Sequence, residues 1–343
     1  MCLFVRYSIG IPLNLSKYLI GKLLMLKNYS LKIILFISLN LLVSQVFSAQ
    51  LTGQVMPLSC QSQRVKLQIL GTRGPEILDG QASTSYLIWL DNKARIIVDT
   101  GAGSVLRFAQ SKANFEDVDL ILFSHFHVDH SSDFPAYIKG AFFTQRKKDL
   151  YVLGPTGTKF VASAEQFVER AIGSKAGMYP YLGNVLEKKS QSAYKIKAKN
   201  IQWSYSDLNI KTVYSRNGIT VKTVSTHHGP FPSQGYRVEL AGCAIAFSGD
   251  MSGRLGAMPD LAKNADILVA HNAIPENATG VPALLHMTPS YIGRMAKKAN
   301  VKLLLLTHLM KRSLSVKKQT LQLIRKSYKG KVLYPNDLDA FNP

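Results

Sequence analysis

Acidic side chains are scarce in this chain: 21 Asp and Glu stand against 42 Lys and Arg, giving a net charge of +21 over 343 residues. That balance points toward anionic partners, whether nucleic acid, anionic surfaces or small anionic substrates. The lysines are scattered and not interleaved with aromatics, so nothing specific supports a nucleic-acid surface. A generally lysine-rich exterior explains the charge equally well. Cysteine is nearly absent, with only Cys2, Cys60 and Cys243. A disulfide-dense scaffold is thereby excluded, and beyond a leader peptide a single Cys60–Cys243 pair is all that an oxidising compartment could form. No repeat of 20–50 residues and no low-complexity tract is visible, which excludes a solenoid or array. The apolar run from Ile33 to Val46 is interrupted by Ser38 and Asn40 and is short for a membrane-spanning helix.

What is present begins with that run. Lys27 and Lys32 precede it, and the small residues Ser48 and Ala49 follow, with Val46 and Ser48 in the positions before a cut. This is the layout of a secretory signal over residues 1–48, with Met25 as an alternative true start. Its removal takes away Arg6, Lys17, Lys22, Lys27 and Lys32 and leaves a still basic chain, expected in the periplasm or secreted, with no stable membrane insertion after cleavage. The whole chain is 46% hydrophobic, enough for one large domain with a sizeable core or two small ones, and a single domain is expected over 64–343.

Along that domain, "VKLQILG" reads as a strand ending in a glycine-rich turn. "STSYLIWL" and "ARIIVDTGAG" form a hairpin around "DNK", and a helix follows near Ser104–Lys112. Residues 158–200 change character, from helical periodicity to a Tyr/Gly/Pro turn and then Lys-rich sequence, and read as a lid-like insertion. Further strands end in "STHHG", "FSGD", "VAHNA" and "LTHL", and a helix opens at Thr288-Pro289. Strand–helix alternation joined to hairpins predicts a mixed α/β sandwich with sheets inside and helices outside.

The densest chemistry lies in "LILFSHFHVDHSSDFP", where His125, His127, Asp129 and His130 occupy six residues at the end of an apolar strand. His125 and His127 alternate along an extended segment and can face one metal, while Asp129 and His130 turn toward a neighbouring position. His228, Asp250 and His308 likewise follow apolar strands directly. Ligands at the ends of different strands can converge on one sheet edge, and an imidazole–carboxylate set suits zinc as well as iron or manganese.

"HFHVDH", the histidine of "HHGPFPSQGYRVE", "FSGD" and "LTHL" resemble the metallo-β-lactamase superfamily, and most of all its ribonuclease Z and bacterial arylsulfatase-like branch. The resemblance covers about residues 64–343. It implies a four-layer αβ/βα sandwich and two metals, zinc favoured. His125, His127 and His228 would bind the first, Asp129, His130 and His308 the second, and Asp250 would bridge them. Asp99 of "VDTG" would orient a ligand histidine. The following "GYR" favours His228 over its neighbour His227 as the ligand. A water shared by two divalent ions is acidified to a pKa of about 7, and the resulting hydroxide would attack an ester. His286 of "LLHMTPS" stands where ribonuclease Z relatives carry a histidine that works with the motif aspartate, so His286, assisted by Asp129, is the expected general acid. His271 stands where those relatives have His-Glu-Ala, but Asn272 replaces the Glu, and His271 reads as structural. Tyr179, Tyr181 and Phe231 either wall the cleft or pack.

Two features separate the chain from ribonuclease Z itself. The tRNA-gripping arm of that family is inserted between "GYR" and "SGD", where this chain has only "VELAGCAIAF", and a signal peptide leads away from tRNA. The implied reaction is hydrolysis of a small anionic ester, a sulfate ester or phosphodiester, with nucleic acid an unlikely partner and oligomeric state open. The alternatives are a lactone or β-lactam hydrolase, a ribonuclease Z-type tRNA 3′ endonuclease, or a non-catalytic metal-binding protein. Against a β-lactamase, Asp250 stands where those enzymes generally carry cysteine or serine.

Overall fold

The computed structural model describes residues 59–77 and 79–343; the expected leader, residues 1–48 with Met25, lies outside the described residues. The strands are β1 (Val65–Gly71), β2 (Ser85–Leu90), β3 (Lys93–Val98), β4 (Leu120–Leu122), β5 (Leu150–Pro155), β6 (Ile196–Ile201), β7 (Lys211–Arg216), β8 (Ile219–His228), β9 (Phe231–Leu240), β10 (Cys243–Phe247), β11 (Ile267–His271), β12 (Leu303–Thr307), β13 (Lys331–Leu333) and β14 (Ala340–Phe341). They form two seven-stranded sheets, β14-β1-β2-β3-β4-β5-β6 and β13-β12-β11-β10-β9-β8-β7. Starting from β14 in one sheet and β7 in the other, each sheet runs through three antiparallel pairings and then three parallel ones.

Strand periodicity of two explains the layering. Leu120 and Leu122 of β4 face the same inter-sheet core as Tyr86, Ile88, Ile96, Val98, Tyr236, Phe247 and Val269. Ile121, one residue out of phase, faces the opposite side with Leu87, Ile97, Phe134, Val168 and Ile172, under the helices Phe134–Ala141 and Ala164–Ile172. On the far side Ala246, Leu268, Ala270, Leu304 and Leu306 meet Ile292, Met295 and Ala296 of the helix Pro289–Ala299. The result is the expected helix–sheet–sheet–helix sandwich. The near-continuous apolar runs of β4, β11 and β12 are those of strands buried on both faces.

Residues 158–200 differ from a free lid. The segment contains the helix Ala164–Ile172 and a 3₁₀ stretch, Pro180–Val185, but its end is β6, paired in parallel with β5 from Leu150↔Ile196 to Pro155↔Ile201. Lysines marked this stretch as polar sequence; in the fold Lys197 and Lys199 belong to an edge strand, where charge discourages further pairing. β9 and β10 are joined by Ala241-Gly242 alone, both with positive φ (47° and 76°), so the link is a tight hairpin turn without an arm. Cys60 and Cys243 are disulfide-bonded across 183 residues of sequence. Among the described residues no helix is long and apolar enough to cross a membrane.

Candidate metal centre

The site forms where strand ends from both sheets meet. β4 delivers Ser124-His125-Phe126-His127, and a short helical turn, Val128–Ser131, then carries Asp129 and His130. From the second sheet come His228 at the end of β8, Asp250 three residues after β10, His271 at the end of β11 and His308 just after β12. All of these residues lie at or follow the carboxyl ends of strands, the edge where ligands bind in open α/β sheets. Two turns at the site require unusual backbone: Asp99 (φ 57°), which holds His130, and His308 (φ 53°) adopt the left-handed conformation that side chains normally avoid. Gly249 is also left-handed, and a β-carbon there would come within 2.9 Å of the Gln234 carbonyl oxygen and 3.0 Å of Ser124 Cβ. The close approach of this turn to the β4 loop seats Asp250 among the histidines.

Asp250 is the hub. Its Oδ2 lies 3.2 Å from His308 Nε2, 3.6 Å from His130 Nε2, 3.7 Å from both His228 Nε2 and His286 Nδ1, and 4.0 Å from His125 Nε2. Ligand atoms of His125, His127, His228 and Asp250 all lie within 4.8 Å of one another, as do those of His130, Asp250, His271 and His308. Asp129 adjoins the second group, with its Oδ2 3.1 Å from His308 Nε2 and 3.5 Å from His130 Nε2. The seven expected ligands are thus brought together. His227 is turned away, its Nδ1 bonded to Ser252 Oγ at 2.8 Å.

Outer hydrogen bonds fix the rings. His130 donates from Nδ1 to Asp99 Oδ2 at 2.9 Å, while Ser124 donates through its backbone N–H (2.7 Å) and hydroxyl (2.8 Å) to the same carboxylate. His228 donates from Nδ1 to the Leu285 carbonyl at 2.8 Å. His228 is thereby left with its Nε2 lone pair toward Asp250, and His130 can present the same once its Nε2 proton is released, as is usual for metal-ligating histidines.

His271 has more to do than structural packing. It donates from Nδ1 to Asp250 Oδ1 at 2.7 Å and accepts at Nε2 from the Tyr86 hydroxyl at 2.9 Å, which in turn lies 2.7 Å from Thr307 Oγ1. With both nitrogens occupied, His271 orients the bridging carboxylate and leaves Asp250 Oδ2 free. Sequence reasoning missed this chain from Tyr86 to Asp250, although His271 carried the same signal as the ligands, an apolar strand running straight into a histidine.

His125, His130, His228, His271, His286, His308, Asp99, Asp129 and Asp250 are all buried. His125 Nε2, His130 Nε2, His286 Nδ1 and His308 Nδ1 have no hydrogen-bond partner. Burying so many polar groups costs several kcal/mol each unless something compensates. Three of these nitrogens, on His125, His130 and His286, lie within 4.0 Å of Asp250 Oδ2; unpartnered imidazoles around one carboxylate suit divalent cations, and the residues present fit that occupant. Burial, reinforced by neighbouring histidines, pushes His125 well below the ordinary imidazole range. Burial also takes His228 down to about 4 against the pull of Asp250, and His286 to about 3. Burial opposes charge on His308 too, but Asp250 and Asp129 outweigh it and raise the group to about 9. His130 is likewise raised, its burial overcome by Asp129, Asp99 and Asp250.

This asymmetry has a measurable consequence. His308 and His130 hold protons at neutral pH in the metal-free protein and must release them to ligate. Zinc binding at pH 7 is therefore expected to liberate roughly one to two protons per chain. The share contributed by His308 should fade as pH rises through about 9, where His308 loses its proton without metal. By the same sign, the stability that a charged His308 lends the metal-free fold is complete below the unfolded value near 6.5 and is lost as pH climbs through about 9. Calorimetric titration in two buffers of different ionisation enthalpy measures the count. No release at pH 7 would contradict the assigned charge states.

Two facing sheets flanked by helices, with a histidine–aspartate cluster on strand ends, define a metal-binding hydrolase architecture. The beta-lactamase superfamily domain profile matches residues 94–309, and the chain belongs to that family. It is a metallo-β-lactamase-fold hydrolase of the kind that acts on ester bonds. A ribonuclease Z from Methanosarcina mazei is 23% identical over 280 residues, covering 72% of this chain and 88% of the relative. Among solved structures, a metallo-β-lactamase fold protein from Bacillus subtilis is similar with a TM-score of 0.63 and 20% identity, covering 81% of this chain and 99% of that one. The short form of human tRNase Z is similar with a TM-score of 0.60 and 18% identity, covering 81% and 98% respectively. At these identities the two structures bear on the fold alone.

Proposed function

We propose that the protein is an exported hydrolase with two zinc ions, cleaving a small anionic ester, either a sulfate ester or a phosphodiester. The observation that carries this reading is Asp250 Oδ2 set among five imidazole nitrogens within 4.0 Å. His125, His127 and His228 would hold one ion, Asp129, His130 and His308 the other, with Asp250 between them. Bound divalent ions supply an acidified water and positive charge for the ester oxygen. The chain's own residues do the rest. Asp99 and Ser124 hold His130 in register, and Tyr86 and His271 aim Asp250. His286 stands beside His228 and His308, with ring centroids 5.4 and 5.5 Å away, placed to give the leaving oxygen a proton. Burial keeps His286 neutral before substrate arrives; the negative charge of an ester oxygen beside the ring favours its protonated form.

Ribonuclease Z activity is the second reading, favoured by the Methanosarcina mazei relative of that name. The two-residue turn between β9 and β10 counts against it, because the site of the tRNA-gripping arm is closed by Ala241-Gly242. The Cys60–Cys243 bond supports export, since such bonds persist in oxidising compartments. Turnover by zinc-loaded protein of a panel of aryl sulfate, phosphodiester, lactone and β-lactam substrates, with precursor tRNA alongside, separates these readings. Cleavage of precursor tRNA alone would overturn the proposal. Export has its own check. Intact-mass analysis of protein from the native host should find a chain beginning at Ala49 and lacking free thiols. A terminus at Met1 or Met25 with both cysteines reduced would contradict it.

A further inference from the structure

A cavity of about 440 Å³ opens beside His127. Its walls are largely aromatic. Phe126, between the two histidines of the β4 loop, stacks on Phe167 with centroids 4.7 Å apart and planes at 26°. Phe231 lies edge-on to His127 at 4.2 Å. Phe160 stands at the rim, 83% exposed, and Arg170 adds a cation with no salt bridge among the described residues. Phe167, Arg170 and Ala171 share one face of the helix Ala164–Ile172 by their spacing of three and four. Aromatic walls left open to solvent next to a metal-ligating side chain are a binding feature, because a wall that only packed would be covered.

His228 links the cavity-lining His127 to His286, touching each of them. His228 Nε2 is 3.3 Å from His127 Nδ1, while its ring meets that of His286, which does not line the cavity. If the leaving oxygen departs toward His286, whatever occupies the aromatic pocket stays behind on the central atom. A sulfate monoester carries no such second substituent; a phosphodiester does. We propose that the pocket of Phe126, Phe160, Phe167 and Phe231 holds an aromatic substituent that is retained on phosphorus, making aryl phosphodiesters the preferred substrates. This rests on the ester-hydrolase reading above. In the reaction the oxygen of water bonds to phosphorus, and the bond from phosphorus to the leaving oxygen breaks with its electron pair going to that oxygen. One proton of water goes to the leaving group or to solvent, and the aryl phosphate monoester remains in the pocket. Arg170 can stack on the plane of the bound ring.

The test uses phenyl p-nitrophenyl phosphate and methyl p-nitrophenyl phosphate, which share a leaving group, with the zinc-loaded full-length protein. After division by the uncatalysed rates, kcat/KM should favour the phenyl diester by about 10–100-fold, the range that burying an apolar ring provides. Phe160→Ala, at an exposed position, should lower that ratio, and Ala162→Trp, which fills the cavity, should bring it to one or below. A wild-type ratio near one with both diesters hydrolysed would overturn the pocket assignment and leave the hydrolase reading intact. So would a high ratio that neither variant changes. Hydrolysis of an aryl sulfate but of neither diester would overturn the preference for diesters. Failure to turn over any ester would overturn the underlying reading of the site.

Discussion

Replacing Asp250 by alanine is expected to strip most of the metal from both positions at once. The carboxylate belongs to both compact ligand groups, and its Oδ2 is within 4.0 Å of histidines from each. Losing a residue that only orients a ligand typically weakens metal binding by about 10–100-fold, so losing the shared ligand should weaken it further. His308→Ala removes a nitrogen from the second group only and should leave about half the metal, on the general expectation that binding follows ligand count. His271→Ala should fall in the outer-partner range, because His271 acts through Asp250. Elemental analysis after dialysis, with circular dichroism to confirm folding and Asp250→Asn as an isosteric control, distinguishes these cases. Loss of metal from one position only in Asp250→Ala would remove the bridging role.

His286→Ala should keep the metal and lose turnover. His286 follows the short helix Gly280–Leu285, its backbone N–H bonded to the Pro282 carbonyl at 3.0 Å, and its Nδ1 is unpartnered. No ligand histidine depends on it for orientation: His130 is held by Asp99 and His228 by the Leu285 carbonyl. Removing one general acid costs about 10²–10⁴-fold in rate. The loss should be largest for alkoxide-like leaving groups and should shrink for nitrophenolate, which departs without a proton. Steady-state rates across a leaving-group series read this directly. An equal loss across the series would make His286 a substrate-positioning residue, and loss of metal would make it a ligand or a fold element.

How far the sequence reached depended on whether a feature was local. The ligand set was legible because its members directly follow four apolar strands, and six residues, from His125 to His130, bring four of them together. The layering was legible as strand–helix alternation joined to hairpins, whereas the face that each of Leu120, Ile121 and Leu122 takes was not, since all three are apolar. Less legible was anything decided by pairing at a distance. β6 looked like Lys-rich surface because an edge strand needs only one buried face, and only its pairing with β5 shows it to be part of the sheet. The matching order of pairings in the two sheets left no repeat in the sequence, since strand order constrains apolar period and not residue identity. The particular partners of His271, read from the sequence as structural, were hidden for a related reason. The change to Asn272 in its motif drew attention away from a role that depends on Tyr86, 185 residues earlier. The Cys60–Cys243 bond likewise needed the segment ahead of β1 to meet the start of β10.

The measurement that bears most directly on the whole account is a zinc titration of chelator-treated protein, following hydrolysis of methyl p-nitrophenyl phosphate and of an aryl sulfate. The account predicts no turnover without metal and a rise that saturates at two equivalents of zinc per chain. Turnover that persists in chelator, or that saturates at one equivalent, would contradict a site built from two ligand groups sharing Asp250.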